Sequence, residues 1–169
     1  MQLPAHEPHI LAARGELIAG LRAIVPPRQV IDQESELRPY ESDGLTAYAQ
    51  LPLVAVLPDT VQQIAAILRL CSAMNVKTVP RGAGTSLSGG ALPLGDGVLL
   101  GLARLNRILD VDVDNQCVVA QPGVTNLAIT HAVEQAGFYY APDPSSQIAC
   151  SIGGNVAENS GGVHCLKYG

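Results

Sequence analysis

Apolar positions along the chain first recur at helical spacing and then contract into short uninterrupted runs. Ile10, Leu11, Leu17, Ile18 and Leu21 share one helical stripe, which predicts an amphipathic helix within residues 1–30, closed by Val25-Pro26-Pro27. This helix reads as an appendage. A polar connector holding Tyr40-Glu-Ser-Asp43-Gly44 leads to Leu53-Val-Ala-Val-Leu57, an apolar run bounded by Pro52 and Pro58, which is the pattern of a strand covered on both faces. Thr60, followed three residues later by Gln63, forms a capping box, and Val61, Ile64, Ala65, Leu68 and Cys71 then recur at helical spacing. Lys77-Thr-Val-Pro80 is a second strand, so the three elements make a crossover whose two strands run parallel.

Beyond Gly90 the pattern changes. Val98-Leu-Leu-Gly-Leu102 predicts a further strand, and Ile108–Val113 with Cys117–Gln121 flank Asp114-Asn115-Gln116 as a hairpin, so the sheet becomes partly antiparallel. Thr125 caps a helix running through about Ala136, and Gly137 is placed to end it in the left-handed conformation. From Ala141 onward regular periodicity stops. So long a weakly structured stretch of small, polar and glycine residues is usually functional.

Composition narrows the classes. A chain of 169 residues, 47% hydrophobic and 15% charged, can bury a core and is not disordered. Its net charge of -5 comes without any Lys/Arg run, which excludes an electrostatic footprint for nucleic acid; an anionic partner must be held locally. Arg14, Glu16 and Arg22 interrupt the N-terminal apolar segments, and no apolar run approaches the roughly 18 residues of a membrane span. A soluble, cytoplasmic chain is expected. The four cysteines are scattered without a CxxC pair, and they read as small buried thiols, neither a disulfide framework nor a zinc site.

The candidate chemistry lies in two glycine-rich regions. In Pro80-Arg-Gly-Ala-Gly-Thr-Ser-Leu-Ser-Gly-Gly90, glycines let successive backbone N–H groups approach an anion, and Gly82, Gly84, Thr85 and Ser86 fit a phosphate nest. The stretch is not a P-loop, lacking Gly-Lys-[Ser/Thr], and Leu87 stands where GxGxxG needs glycine. Arg81 either pairs with a phosphate or holds the loop by structural hydrogen bonds. A lone loop of this kind is as readily a turn. A second set of donors at Gly153-Gly154-Asn155 and Asn159-Ser-Gly-Gly162 makes an extended nucleotide, diphosphate at one end and polar ring system at the other, the better occupant.

These two regions, with Gln121-Pro-Gly-Val124, Pro142-Asp-Pro-Ser-Ser146 and the lead-in Pro52–Pro58, together resemble the FAD-binding domain of the vanillyl-alcohol-oxidase / p-cresol-methylhydroxylase flavoprotein superfamily. Within it the chain is most similar to the FAD subunits of glycolate oxidases and their D-lactate dehydrogenase relatives, from about Tyr40 to Gly169. The resemblance implies an α+β fold of two subdomains with FAD between them, incomplete at the C-terminus. Residues 1–39 would be a helical appendage and connector, about 40–106 the N-terminal subdomain, and about 107–169 the start of the second.

By the same resemblance Gly82, Ala83, Gly84, Thr85 and Ser86, with Arg81, would hold the FAD diphosphate. Asp143, Ser145, Ser146, Ser151, Gly153, Gly154, Asn159, Gly161 and Gly162 would line the flavin and ribityl end. No histidine lies in the first loop, where some relatives attach their flavin, so noncovalent FAD is expected. His164 beside Cys165 offers too few ligands for a metal. The implied reaction is oxidation of a 2-hydroxy acid, glycolate or D-lactate, to the 2-oxo acid by hydride transfer to flavin N5. Its substrate and catalytic residues are expected in a C-terminal part outside this sequence. The implied partners are iron-sulfur and further FAD-domain subunits, with a peripheral link to the inner membrane. The alternative is a noncatalytic FAD-binding or subunit-assembly module.

Overall fold

The computed structural model describes residues 5–168; the first four residues of the stretch predicted to contain the N-terminal helix, and Gly169, lie outside them. The chain divides into two units. One holds the described residues up to Arg81 together with Leu87–Gly101, the other Gly82–Ser86 and the residues from Leu102 onward.

The first unit is built on strands β1 (Val30–Ile31), β2 (Val54–Val56), β3 (Lys77–Arg81) and β4 (Gly97–Gly101), in the order β1-β2-β4-β3. β1 is antiparallel to β2, while β2, β4 and β3 run parallel. The predicted crossover is therefore parallel, but its strands are not neighbours, because β4 lies between them. All five residues of β4 are buried, which suits the centre of a sheet. β3 carries an exposed Lys77 and Pro80, which has no N–H to give a second neighbour, and both suit an edge. Two-residue β1 is too short to leave a periodic signal.

Four helices accompany this sheet: α1 (Pro8–Ala12), α2 (Arg14–Ile24), α3 (Glu34–Leu37) and α4 (Val61–Ala73). The single N-terminal helix expected from the stripe is broken at Ala13. Leu17, Ile18 and Leu21 of α2 are buried, and Gly20 leaves room for Leu70 of α4, whose Cδ2 would lie 2.8 Å from a Cβ there. These helices are thus core elements of the unit, where an appendage was expected. That contact also turns α4: Ile67 and Cys71 are buried, whereas Val61 and Leu68, both on the predicted inner stripe, are exposed. The capping box is present, with Thr60 Oγ1 accepting from Gln63 N at 3.2 Å and Gln63 Oε1 from Thr60 N at 3.2 Å. On one face of the sheet Ala55 and Leu99 pack with Leu37, joined by Ile31, Tyr40, Leu51 and Val79.

The second unit holds the predicted hairpin, β5 (Ile108–Asp112) and β6 (Cys117–Ala120), as a separate antiparallel pair and not as an extension of the first sheet. Thr125 Oγ1 accepts from Ala128 N at 3.3 Å to cap α5 (Asn126–Val133), a 3-10 turn follows at Glu134–Ala136, and Gly137 has φ +80. Two helices then occupy the stretch expected to be irregular, α6 (Ile152–Glu158) and α7 (Cys165–Tyr168). The paired glycines inside α6 are poor helix formers and hid it from a propensity reading. Cys71 and Cys150 are buried as expected, with burial pushing the Cys71 thiol up to about 11, but Cys117 and Cys165 are exposed.

Asp96, just before β4, is the most buried carboxylate of the first unit; it accepts from Lys77 Nζ at 3.0 Å and from the Glu7 backbone N–H at 3.1 Å. Burial alone would raise its pKa, but these donors together outweigh burial and hold it below the usual carboxylate value. A carboxylate depressed in the folded state contributes stability above its unfolded pKa of about 4, and that contribution is lost as pH falls through the folded value. Asp96→Asn should accordingly flatten the acid limb of the stability–pH curve below about pH 4, measured by urea denaturation across that range. An unchanged limb would show that the carboxylate is not the titrating group.

Candidate functional site

The glycine-rich loop leaves β3 directly after Arg81. The Arg81 side chain, buried to 8% exposure, is bonded within the first unit: Nη1 donates to Ser42 O at 2.8 Å and, at 3.4 Å, to the carbonyls of Tyr40 and Ala91. Its guanidinium also lies 5.9 Å from the Tyr40 ring centre. Desolvation by burial lowers its pKa, partly offset by the Asp43 carboxylate. Of the two roles open to Arg81, the structure shows the structural one. It ties the start of the loop to Ala91, just past the loop's end, and to the 40–42 connector.

Within the second unit, Gly82 lies against Ser151, and a Cβ at residue 82 would collide with Ser151 Oγ. Ser151 occupies the N-cap position of α6, yet its hydroxyl caps nothing. The side chain is buried and Oγ has no hydrogen-bond partner, an expensive state for a hydroxyl in a folded protein. The adjacent backbone is held otherwise: Gly153 N donates to Pro122 O at 2.9 Å, Ile152 N to Val124 O at 2.8 Å, and Thr125 and Ser151 form a β-bridge. Gly84, two residues on from Gly82, has φ +72, while Ala83 and Thr85 are exposed and Ser86 is half-buried. A buried hydroxyl without a partner, set against a glycine of the loop, is an arrangement that a phosphate oxygen completes.

A second cluster forms around Asp143. Its backbone N–H donates to Gly161 O at 3.1 Å, and it bridges in parallel to Gly162, which has φ +69 and whose Cβ would collide with the Asp143 carbonyl group. Asp143 Oδ1 lies 3.2 Å from His164 Nδ1, but that nitrogen is engaged by Ala141 O at 3.1 Å, so the buried oxygen accepts no hydrogen bond. Ser146 accepts from Ala149 N and Cys150 N through its carbonyl, and Ser145 is exposed. Asn159 takes the left-handed conformation (φ 55) that ends α6, one helix length, or about 10 Å, from Ser151.

The structure therefore brings Gly82, Ser151, Gly153 and Gly154 together, and Asp143, Gly161 and Gly162 together. Asn159, at the far end of α6, sits apart from the first group. Sequence reasoning passed over Pro122 as a packing partner of α6, and Asn126, whose carboxamide is fully buried at the start of α5. Gln121-Pro-Gly and Asn155 had been noticed as motif residues. Nothing in the pattern marked Asn126, because an asparagine beside a helix cap is ordinary. An apolar cavity of about 450 Å³ opens between the hairpin, α5 and α6, lined by Val111, Val118, Ile129, Val133, Phe138 and others, but by none of the site residues.

Comparison with known proteins follows the same lines. The FAD binding domain family matches residues 52–169. Glycolate oxidase subunit GlcD of Escherichia coli (strain K12) is 56% identical over 156 residues, 92% of this chain and 31% of that protein. The subunit of the same name from Bacillus subtilis (strain 168) is 41% identical over 143 residues, 85% of this chain and 30% of that protein. D-lactate dehydrogenase of Anaerostipes hadrus is 35% identical over 155 residues, 91% and 32% respectively. The chain thus spans about a third of the length of the curated relatives it matches. Among solved structures, an alkyldihydroxyacetonephosphate synthase matches all of this chain and 32% of its own with a TM-score of 0.79 at 24% identity. A p-cresol methylhydroxylase with substrate bound matches 91% of this chain and 30% of its own with a TM-score of 0.74 at 21% identity. These two likenesses establish the fold.

Gly162 combines positive φ with direct contact on the Asp143 backbone, whereas Gly137 has positive φ and open space around it. Gly162→Ala should therefore cost about 3 kcal/mol or more in urea denaturation, and Gly137→Ala about 1 kcal/mol. Equal costs would show that the approach of residues 143 and 162 is not a constraint.

Proposed function

Because the chain belongs to the FAD binding domain family, we propose that it supplies part of the FAD site of an enzyme oxidising a 2-hydroxy acid, glycolate or D-lactate, to the 2-oxo acid. The observation that carries this reading is the buried, unpartnered Ser151 hydroxyl facing Gly82 beside the backbone of Gly82–Ser86. In this reading Gly82, Ala83, Gly84, Thr85 and Ser86 hold the diphosphate through backbone N–H groups and hydroxyls, and Ser151, expected from the resemblance at the flavin end, adds instead at Gly82 the donor its burial has left unused. Arg81 contributes by fixing the ends of the loop. Asp143, Ser145, Ser146, Gly153, Gly154, Gly161 and Gly162 line the flavin end, with Asn159 at its margin.

Bound FAD supplies the hydride acceptor for the oxidation. The residues of this chain bind and orient it. The stretch between Pro80 and Gly90 has no histidine, which supports a noncovalently held cofactor. The two units, the first of them including the N-terminal helices and the second including Gly82–Ser86, act as the two subdomains. Partner subunits, including iron-sulfur and further FAD-domain chains, are part of the proposal, supported by relatives named as glycolate oxidase subunits. No helix of the described residues is long and apolar enough to cross a membrane, and any inner-membrane association would run through those partners.

Purified full-length protein should show an oxidised-flavin absorbance spectrum that bleaches on anaerobic addition of glycolate or D-lactate. A spectrum without flavin would sink the proposal, and flavin untouched by either acid would remove the substrate class. Gly84→Val should abolish flavin retention at a folding cost of about 2 kcal/mol, since a branched side chain is strained at φ +72 and blocks backbone approach to the diphosphate. Unchanged flavin content in this variant would reduce the loop to a turn.

A further inference from the structure

Asn126 is a buried polar side chain for which the proposed function has no use so far. It is the first residue of α5 and has 0% exposure. Its Nδ2 donates to Pro142 O at 2.9 Å, and its Oδ1 accepts from Asn155 Nδ2 at 3.1 Å. The orientation is determined by chemistry: the Pro142 carbonyl can only accept, so the nitrogen must face it, and the oxygen is left for the Asn155 amide. The neighbouring backbone reinforces the same junction, with Asn126 N donating to Cys150 O at 3.3 Å and Leu127 N to Gln147 O at 3.0 Å.

Each end of this carboxamide reaches a stretch of the site. Pro142 immediately precedes Asp143, and Asn155 immediately follows Gly154 on α6. The two stretches are otherwise separate in sequence. We propose that Asn126 is a positioning residue for the FAD site, a side-chain rung that, with the backbone bonds around it, sets the spacing between Asp143–Ser146 and the Ser151–Gly154 start of α6. It acts through these neighbours, its oxygen and one of its N–H groups being engaged within the protein. The inference rests on the proposed function, which assigns both stretches to FAD.

The test uses full-length protein and three variants. Asn126→Leu keeps the volume and removes both hydrogen bonds. Asn155→Ala removes one arm and leaves Pro142 anchored, so the question stays answerable should Asn126→Leu not fold. Ile129→Ala, buried on the same helix but bonded to neither stretch, lowers stability by cavity formation alone. For each, the thermal midpoint of the flavin-free protein, the FAD dissociation constant and the shape of the bound-flavin visible spectrum are measured.

Asn126→Leu should weaken FAD binding by about tenfold to a hundredfold, and Asn155→Ala by about threefold to tenfold, with an altered visible band. Ile129→Ala should lower the midpoint with FAD affinity and spectrum close to wild type. If the asparagine variants lose affinity only in step with their midpoints, on the line set by Ile129→Ala, the positioning role is overturned and Asn126 is a core hydrogen-bonding group alone. Wild-type protein that binds no FAD would instead overturn the proposed function and this role with it.

Discussion

Gly82, Gly123, Gly153 and Gly162 allow stretches of backbone to meet in the second unit where a side chain would hold them apart. A Cβ at Gly123 would lie 2.6 Å from Leu102 O and 2.8 Å from Leu105 O; one at Gly153 would lie 3.0 Å from Pro122 O. Gly162 lies on the backbone of Asp143, and Gly82 on the hydroxyl of Ser151. Among the described residues the unit has a two-stranded sheet, too little to organise so many connections. Close backbone contact, bridged by hydrogen bonds such as Gly123 N to Leu105 O at 2.7 Å, takes the place of a larger sheet. The arrangement tolerates little substitution, and it leaves one buried hydroxyl and one buried carboxylate oxygen unsatisfied.

The parts of this fold that were legible in the sequence are those set by local chemistry. The Thr60–Gln63 capping box, the Asp114–Gln116 turn, the Thr125 cap and the left-handed Gly137 each depend on a few adjacent residues, and each stands where the sequence put it. What escaped depends on distant partners. The face that α4 buries is chosen by Gly20 of α2, and the place of β4 between β2 and β3 by its complete burial. Neither can be read from a window of ten residues.

The site divides in the same way. Gly82–Ser86 was recognisable because clustered glycines and hydroxyls already state what the backbone can do. That Arg81 is held by backbone carbonyls was not recognisable, because they belong to residues 40, 42 and 91. Helix α6 was missed because Gly153 and Gly154 lower helix propensity; it forms between Ser151 and the left-handed Asn159, with Gly153 lying against Pro122. Asn126 gave no signal, since only the burial of its carboxamide distinguishes it from any asparagine at a helix start.

The path of the chain has one more implication. It leaves the first unit at Arg81, lends five residues to the second, and returns at Leu87 to complete β4 before crossing again at Gly101. Neither unit is a single continuous segment. A recombination event joining foreign sequence at the 101–102 junction would leave the second unit without Gly82–Ser86, and the newcomer would have to match a loop carried by the other half.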